Sequence, residues 1–283
     1  MTLQPTLTEP MTEAAAKRAS GSSFYAAMRI MPPGQRDAMF EIYSFCRAVD
    51  DVADEGGPRD VRLAELARWR ADVNALYADG PVPSRVRGLV VPVRDFGLER
   101  KDFLAIIDGM EMDALADIRA PDFETLDLYC DRVASAVGRL SVKVFGLERA
   151  HGITLAHHLG RALQLTNILR DLDEDAEMGR LYLAREWLEG AGITATDPGA
   201  VLKSPRLSEA CAPAIAAIER HFQEADAIMG RYPRRIVRTP RLMAEAYKAI
   251  LQRLVMRGWA APRPAVRISR PLLLWLVLRY AVF

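Results

Sequence analysis

The stretch IYSFCRAVDDVAD, residues 42–54, repeats both its apolar and its polar side chains every three or four positions. This rhythm is that of an α-helix, in which successive residues are about 100° apart. One sector of about 60° then carries four polar residues, Tyr43, Arg47, Asp50 and Asp54. The positions that flank this sector are apolar: Ile42, Phe45, Cys46, Val49 and Val52. The stretch therefore predicts a helix whose polar stripe borders the protein interior instead of facing only water.

A second polar stripe occurs in LQLTNILRDLDED, residues 163–175. Its members, which share a sector of about 80°, are Gln164, Asn167, Asp171 and Asp175. Carboxylates four residues apart on a helix repel each other, and a bound cation removes that penalty. Oxygen donors without a nearby His or Cys suit Mg²⁺, which commonly links carboxylates to the phosphates of a substrate. The two stripes together predict a Mg²⁺–diphosphate site, although either alone could be a solvated helix face with local ion pairs.

A diphosphate also needs cationic and hydroxyl donors, because metal ions do not cover every oxygen. Such donors follow the stripes: Arg47 and Tyr43 on the first, then Arg170, Arg180 and Tyr182 after the second. Ordinary intrahelical ion pairs for the arginines, or a core position for Tyr43, are the alternatives. Small and apolar residues fill the sequence between the stripes: Val133, Ala134, Val137, Gly138, Ala156, Gly160 and Leu163. They leave room for a long hydrocarbon or allow close helix packing.

Nearly every longer segment of the 283-residue chain shows the helical period, so the sequence predicts an all-α protein. Helices are expected over about 35–54, 59–78, 85–95, 100–115, 122–145, 155–172, 208–232 and 240–258. Because no linker or shift in composition divides the chain, we expect a single domain over residues 1–283, with 1–17 loosely ordered. The formal charge of +1 gives no global field for nucleic acid, which excludes a nucleic-acid-binding module as the leading interpretation.

Both termini bear on localisation. The first ten residues lack a secretory pattern, so we expect a cytoplasmic protein, and the three widely spaced cysteines are expected to be small core residues in a reducing compartment. The apolar C-terminal segment PLLLWLVLRYAVF, residues 271–283, is shorter than the roughly 20 residues needed to cross a bilayer. We expect it to form a last core helix, with a peripheral anchor on the cytoplasmic membrane as the alternative.

Four segments together resemble the squalene/phytoene synthase family of head-to-head prenyltransferases over about residues 18–270. They are SSFYAAMRIMPP (22–33), YSFCRAVDDVAD (43–54), YCDRVASAVG (129–138) and LQLTNILRDLDEDAEMGRLYL (163–183). The resemblance implies an isoprenoid-synthase helical bundle around a central cavity, with two or three Mg²⁺ ions. The metal positions it implies are Asp50, Asp54, Asp171 and Asp175, assisted by Asn167.

The same resemblance assigns substrate positions. Ser23, Tyr43 and Arg47 match positions that contact diphosphate, and Phe24 matches the cavity mouth. Tyr129, Gln164 and Tyr247 match the border of the reaction zone. Many relatives carry a basic residue where this chain has Ser22, so Arg263 or Arg267 is the candidate cation for the second diphosphate.

The implied activity is the condensation of two farnesyl diphosphates to presqualene diphosphate and diphosphate, in squalene and hopanoid biosynthesis. NADPH is not expected, since the chain resembles enzymes that stop at this intermediate. Phytoene, dehydrosqualene or squalene synthesis are alternatives within the family, and a catalytically silent assembly protein is an alternative of another class. Because the intermediates of this pathway are hydrophobic, we expect peripheral contact with the membrane. Enzymes of the later squalene pathway are the expected protein partners.

Overall fold

Helices form nearly all the regular structure of the protein in a computed structural model that describes residues 23–54, 57–115 and 118–281. The first seven are α1 (Ser23–Arg29), α2 (Pro33–Asp54), α3 (Arg59–Leu76), α4 (Val90–Phe96), α5 (Arg100–Leu115), α6 (Phe123–Cys130) and α7 (Ala136–Phe145). They are followed by α8 (Arg149–Arg170), α9 (Leu172–Glu177), α10 (Arg185–Gly190), α11 (Pro198–Leu202), α12 (Leu207–Met229), α13 (Arg234–Arg257) and α14 (Arg270–Ala281). Within these ranges the one β-type contact is an isolated bridge between Arg119 and Leu181. The predicted all-α fold is confirmed.

Two helices begin earlier than the sequence predicts. Helix α8 starts at Arg149 because the Glu148 carboxylate accepts hydrogen bonds from the backbone N–H groups of Ala150 and His151, at 2.9 and 3.1 Å. Helix α13 starts at Arg234 and contains Pro240 in its interior, whereas the sequence places this proline at the helix start. Pro240 instead lines a cavity inside the protein.

The helix predicted over about 122–145 is interrupted. Residues Asp131–Ser135 form a π-helical turn, called the π segment here, between α6 and α7. The extra residue in such a turn changes which side chains face inward, and π turns are frequent at functional sites. The π segment is tied to α8 by Arg161, whose Nη1 donates to Ser135 Oγ at 3.0 Å. Another short departure is a 3₁₀ helix, Ser84–Leu89, directly before α4.

Helix α8 lies at the centre of the hydrophobic core and packs against α7, α12, α13 and the π segment. Glycines allow two of these contacts to be close. A Cβ on Gly160 would lie 2.8 Å from the backbone of Ser135, and one on Gly138 would lie 3.1 Å from the Cα of Ala156. Both glycines also line the cavity that Pro240 lines. At these positions the helices therefore pack closely and also border open space.

Helix α14 lies on the surface and packs on α13 and α1 along one side. Leu276 is buried there, but Leu274, Trp275 and Leu278 are 60%, 52% and 51% exposed. The expectation of a core helix therefore holds only for the side that carries Leu276, because no other described element covers the side that carries Leu274, Trp275 and Leu278. None of the described helices combines the length and the apolarity that a bilayer crossing requires.

Candidate active site

An internal cavity of about 280 Å³ lies between α2, α7, α8 and α13. Most of its lining is apolar, and the predicted hydrocarbon-facing residues Val133, Val137 and Gly138 are part of it. Five polar residues from the two stripes also line it: Tyr43, Arg47 and Asp50 from α2, and Gln164 and Asn167 from α8. The structure thus brings members of both stripes to one cavity. We call the region around Asp50 and Asn167 the acidic end; it includes Asp54, Asp171 and Asp175, which do not line the cavity.

The first stripe carries its own counterion. Arg47 donates to Asp50 at 3.0 Å and pairs with Asp51 at 2.9 Å, so Asp51 adds to the charge beside the stripe. Cys46 lines the cavity next to this stripe and is half-buried, whereas Cys130 and Cys211 are buried as expected. Burial raises the pKa of all three thiols to about 12, which makes them unreactive at neutral pH.

Arg180 joins the two stripes. Its Nη1 donates to Asp54 Oδ1 at 2.9 Å and its Nη2 donates to the Ala53 carbonyl at 3.3 Å. Arg180 follows the second stripe in sequence, so this contact fixes that region against the end of α2. Arg180 therefore does not form the ion pair within one helix that was the alternative for it. Arg170, in contrast, donates to its neighbour Asp171 at 2.7 and 2.6 Å and to Tyr247, which is buried on α13.

The second stripe does not lie on one continuous helix. Helix α8 ends at Arg170, and Asp171, with φ −100° and ψ 14°, connects it to α9. The expectation of a single helix through residue 172 is wrong at this point. The spacing survives because the Asp175 N–H still donates to the Asp171 carbonyl, at 2.8 Å. Asp171 at the break and Asp175 on α9 are thus one turn apart.

Asp113 is a site residue that the sequence analysis missed. It is only 5% exposed, and it accepts hydrogen bonds from the hydroxyls of Tyr129 at 2.9 Å and Tyr182 at 2.7 Å. The two tyrosine rings stack with centroids 5.0 Å apart. The signal in the sequence is a carboxylate seven residues after Ile106 on the apolar face of α5. Tyr129 and Tyr182 do not line the cavity. Their hydroxyls contact Asp113, whose charge interacts with Arg180 and Asp54.

The acidic end is short of positive charge. Burial, followed by repulsion from Asp54, raises the pKa of Asp50 to about 6. Burial, followed by repulsion from Asp171, raises the pKa of Asp175 to about 7. Asn167 Oδ1 is buried with no hydrogen-bond partner among the described residues. Carboxylates that resist ionisation and an unsatisfied amide oxygen fit a hard divalent cation.

Some predicted residues lie elsewhere or outside the described residues. The backbone of Ser23 and Phe24 forms the first turn of α1, but their side chains, like Ser22, fall outside the described part of the chain. The Arg263 guanidinium is held by Asp173 at 2.5 and 2.8 Å and by the Trp259 carbonyl at 2.9 Å. Neither it nor Arg267 lines the cavity. The structure gives no support to either as the cation for a second diphosphate.

The chain is similar to known proteins over most of its length. Residues 17–271 match the family described as squalene/phytoene synthase. The chain belongs to the squalene/phytoene synthase family. It is 59% identical over 264 residues to a presqualene diphosphate synthase of Rhodopseudomonas palustris, covering 93% of this chain and 94% of the relative. It is 50% identical over 272 residues to a presqualene diphosphate synthase of Zymomonas mobilis, covering 96% and 93%. Among solved structures, the squalene synthase HpnC from Alicyclobacillus acidocaldarius is similar, with a TM-score of 0.79, 26% identity, and coverage of 88% of this chain and 93% of that one.

Proposed function

We propose that the protein condenses two molecules of farnesyl diphosphate head to head, giving presqualene diphosphate and diphosphate. The observation that carries this is an apolar cavity lined at one end by one carboxylate, Asp50 on α2, and two amides, Gln164 and Asn167 on α8. The similarity to presqualene diphosphate synthases over more than nine-tenths of the chain favours this product among those of the family. The reaction belongs to squalene and hopanoid biosynthesis, so enzymes that consume presqualene diphosphate are the expected downstream partners.

The cofactor of this reaction is Mg²⁺, as two or three ions. The donors that would hold it are the carboxylates of Asp50, Asp54, Asp171 and Asp175 and the unpartnered Oδ1 of Asn167. When bound, Mg²⁺ neutralises the leaving diphosphate and so promotes heterolysis of the carbon–oxygen bond. Arg170 lies beside Asp171, and Arg180 lies beside Asp54. From these positions the guanidinium groups can donate hydrogen bonds to phosphate oxygens.

In the first step the C1–O bond of one farnesyl diphosphate breaks, leaving an allylic cation and diphosphate. Arg47 and Tyr43 line the cavity and are placed to donate to the departing oxygens. The developing cation is surrounded by the apolar walls, including Val133 and Val137, which keep water from capturing it. Gln164 borders the same space and positions the substrate head.

In the second step the C2–C3 double bond of the other farnesyl diphosphate attacks C1 of the cation. The resulting C3 cation loses one proton from that C1 carbon, and the electron pair of the C–H bond closes the cyclopropane ring. Within the described lining of the cavity there is no His or Glu to take this proton. The released diphosphate, held beside the cavity, is the base.

The decisive experiment is incubation with farnesyl diphosphate or, separately, geranylgeranyl diphosphate, each with Mg²⁺ and with and without NADPH, followed by mass analysis of the products. We expect presqualene diphosphate from farnesyl diphosphate, whether or not NADPH is present. Squalene that appears only with NADPH, dehydrosqualene, or phytoene from geranylgeranyl diphosphate would identify one of the alternative activities. No product from either substrate would favour the assembly protein.

Variants link this activity to the site. Asp50→Asn and Asp171→Asn are each expected to reduce turnover at least roughly 100-fold, with helix content unchanged by circular dichroism, because these side chains act on the cation and not on the core. Glu174→Gln is the matched control, since Glu174 is an exposed acid in the same run of sequence. Full activity of either aspartate variant would contradict the assignment.

We also propose that α14 contacts the cytoplasmic membrane surface. Its exposed Leu274, Trp275 and Leu278 lie within about 100° of its circumference. The Arg279 guanidinium lies 5.1 Å from the Trp275 ring centroid, a combination suited to the lipid headgroup region. Residues 231–283 contain twelve basic residues and one acidic residue, although the whole chain has a net charge of +1. This segregation gives the α14 end of the sequence the charge that anionic lipids attract.

Flotation with lipid vesicles tests this contact. We expect binding to vesicles that contain phosphatidylglycerol, weaker binding in high salt, and little binding to pure phosphatidylcholine. The double variant Leu274→Ser/Leu278→Ser should lose the binding. Val61→Ser is its control, because Val61 is 59% exposed on α3. Equal flotation of the double variant and the wild type would contradict the proposal.

A further inference from the structure

Three imidazoles meet between α8 and α12, outside the cavity. His157 and His158 are consecutive on α8, and His221 lies on α12. One ring nitrogen from each lies within 4.8 Å of the other two. The two Nδ1 atoms of His158 and His221 are 3.0 Å apart, which is the only side-chain hydrogen bond of the three within the described part of the chain.

This cluster is separate from the acidic end. None of the three histidines lines the cavity. His157 precedes Asn167 by ten residues on α8, a distance of about 15 Å along the helix axis. The cluster connects two of the helices that form the core, and its side chains are half-buried, so an ion from solvent can reach them.

We propose that His157, His158 and His221 form a binding site for a first-row transition-metal ion, best suited to Zn²⁺. Three neutral imidazoles plus one water complete a tetrahedral shell, and nitrogen donors favour Zn²⁺ over Mg²⁺. Zinc–nitrogen bonds of about 2.0 to 2.1 Å place tetrahedral ligand atoms roughly 3.3 Å apart. The His158–His221 pair is already near that spacing, and rotation of the half-buried His157 side chain brings in the third nitrogen.

The protonation of the three rings suits a metal. Burial lowers the pKa of each imidazole, and that of His221 falls to about 4. All three are therefore neutral at pH 7, which is the form that binds metal ions.

The charges around the cluster are of both signs. The groups that act on it are Asp127, Asp131, Glu224, Arg161 and Arg220. Asp127 compensates Arg161 through contacts of 2.6 and 2.7 Å. A divalent ion would therefore be held by the three nitrogen donors and not by a negative field around them.

A metal ion bound by these three histidines would cross-link α8 and α12. It would stabilise the folded state, because the unfolded chain does not hold the three imidazoles together. The site does not depend on the proposed prenyltransferase activity, since its donors are not those of the acidic end.

Titration calorimetry with Zn²⁺ tests the site, on untagged full-length protein that has been stripped with a chelator and dialysed into millimolar Mg²⁺. We expect one Zn²⁺ per chain in the wild type. His158→Gln and His221→Gln should each weaken this binding at least roughly tenfold, as expected for loss of one of three ligands. The matched control is His151→Gln, because His151 is on the same helix but pairs with the Tyr232 hydroxyl at 2.8 Å. Cys46→Ser excludes a contribution from the half-buried thiol.

Two further readouts separate the site from a general folding effect. Zn²⁺ should raise the melting temperature of the wild type and of His151→Gln, but not that of His221→Gln. Co²⁺ should give the visible absorption bands of a four-coordinate site in the wild type and in His151→Gln, but not in His158→Gln or His221→Gln. Farnesyl diphosphate turnover with Mg²⁺ should persist in the histidine variants. Unchanged Zn²⁺ binding in both His158→Gln and His221→Gln, or no binding at about 100 μM Zn²⁺, would overturn the proposal.

Discussion

Arg180 shows how one side chain organises the site. It contacts Asp54 across 126 positions of sequence, and it is only 8% exposed. A buried guanidinium must be paired, because leaving it unpaired costs several kcal/mol. Asp54 supplies that pairing, and Tyr182, Asp54 and Asp113 together raise the pKa of Arg180 against the effect of burial. The packing of this residue therefore fixes the distance between the two stripes before any ligand binds.

Asn167 offers the sharpest test of a single side chain. Its Oδ1 is buried without a hydrogen bond, so its removal should cost little stability, and we expect Asn167→Ala to change the free energy of unfolding by less than about 1 kcal/mol. Turnover should nevertheless fall, and the Mg²⁺ concentration needed for half-maximal rate should rise. Urea denaturation and a Mg²⁺ titration of the rate measure the two effects. A variant with normal Mg²⁺ dependence would show that the oxygen does not face the metal.

The sequence predicts which residues share a helix face, but not what that face meets. Tyr43, Arg47 and Asp50 follow directly from the helical period and do line the cavity. The contacts of Asp113 with Tyr129 and Tyr182 depend on how three distant segments pack, which periodicity does not contain. Whether the matched carboxylates bind Mg²⁺ stays a prediction.

At the scale of elements, the π segment and α8 form one close contact. Gly160→Ala places a methyl group 2.8 Å from the backbone of Ser135, which cannot move aside as a flexible side chain could. We expect the free energy of unfolding of this variant, measured by urea denaturation, to be lower by about 1 to 3 kcal/mol. Its activity should fall as well. Gly34→Ala is the control, because nothing lies within 4 Å of a Cβ there, and it should be neutral or slightly stabilising. Equal stability of the two variants would mean that the contact is looser than described.

Element boundaries are where the sequence is least informative. The helix over 100–115 is predicted as the structure has it, since charged residues start it and its apolar positions are regular. The break at Asp171 escapes prediction, because the residues on either side of it continue the same period and only the backbone torsions change. The π segment escapes for the same reason: one extra residue in a turn leaves no mark in composition.

At the scale of the whole molecule, the carboxylates of the acidic end make stability depend on pH. The pKa values of Asp50 and Asp175, about 6 and 7, lie above the ordinary 3.8 of an unfolded aspartate. Between roughly pH 4 and 7 these two carboxylates therefore bind more protons in the folded state than in the unfolded state, and their contribution to the free energy of unfolding falls as pH rises. The lowered pKa values of His157, His158 and His221 act in the opposite direction, so the carboxylate contribution is read from the difference between the wild type and Asp50→Asn. From pH 5.5 to pH 8 we expect the melting temperature of the metal-free wild type to fall relative to that of Asp50→Asn.

Added Mg²⁺ should remove most of this dependence by stabilising the ionised carboxylates, so its effect on the melting temperature should be larger at pH 8. Differential scanning calorimetry at both pH values, with and without Mg²⁺, measures this. In Asp50→Asn the change of melting temperature from pH 5.5 to pH 8 should be less negative than in the wild type, whereas Glu174→Gln should behave as the wild type does. The same change in the metal-free wild type and in Asp50→Asn would contradict the raised pKa of Asp50.

The cavity wall is partly built of thioethers. Met28, Met39 and Met243 come from three different helices and line it together. Methionine is unbranched and polarisable, so its side chain can change rotamer and pack against bound molecules of different shape. Two separate chains and one branched product differ in shape far more than in volume, and these side chains can follow that change without backbone movement. Discrimination between shorter and longer prenyl chains then falls to the β-branched lining residues Ile42, Val133 and Val137, whose side chains have few rotamers.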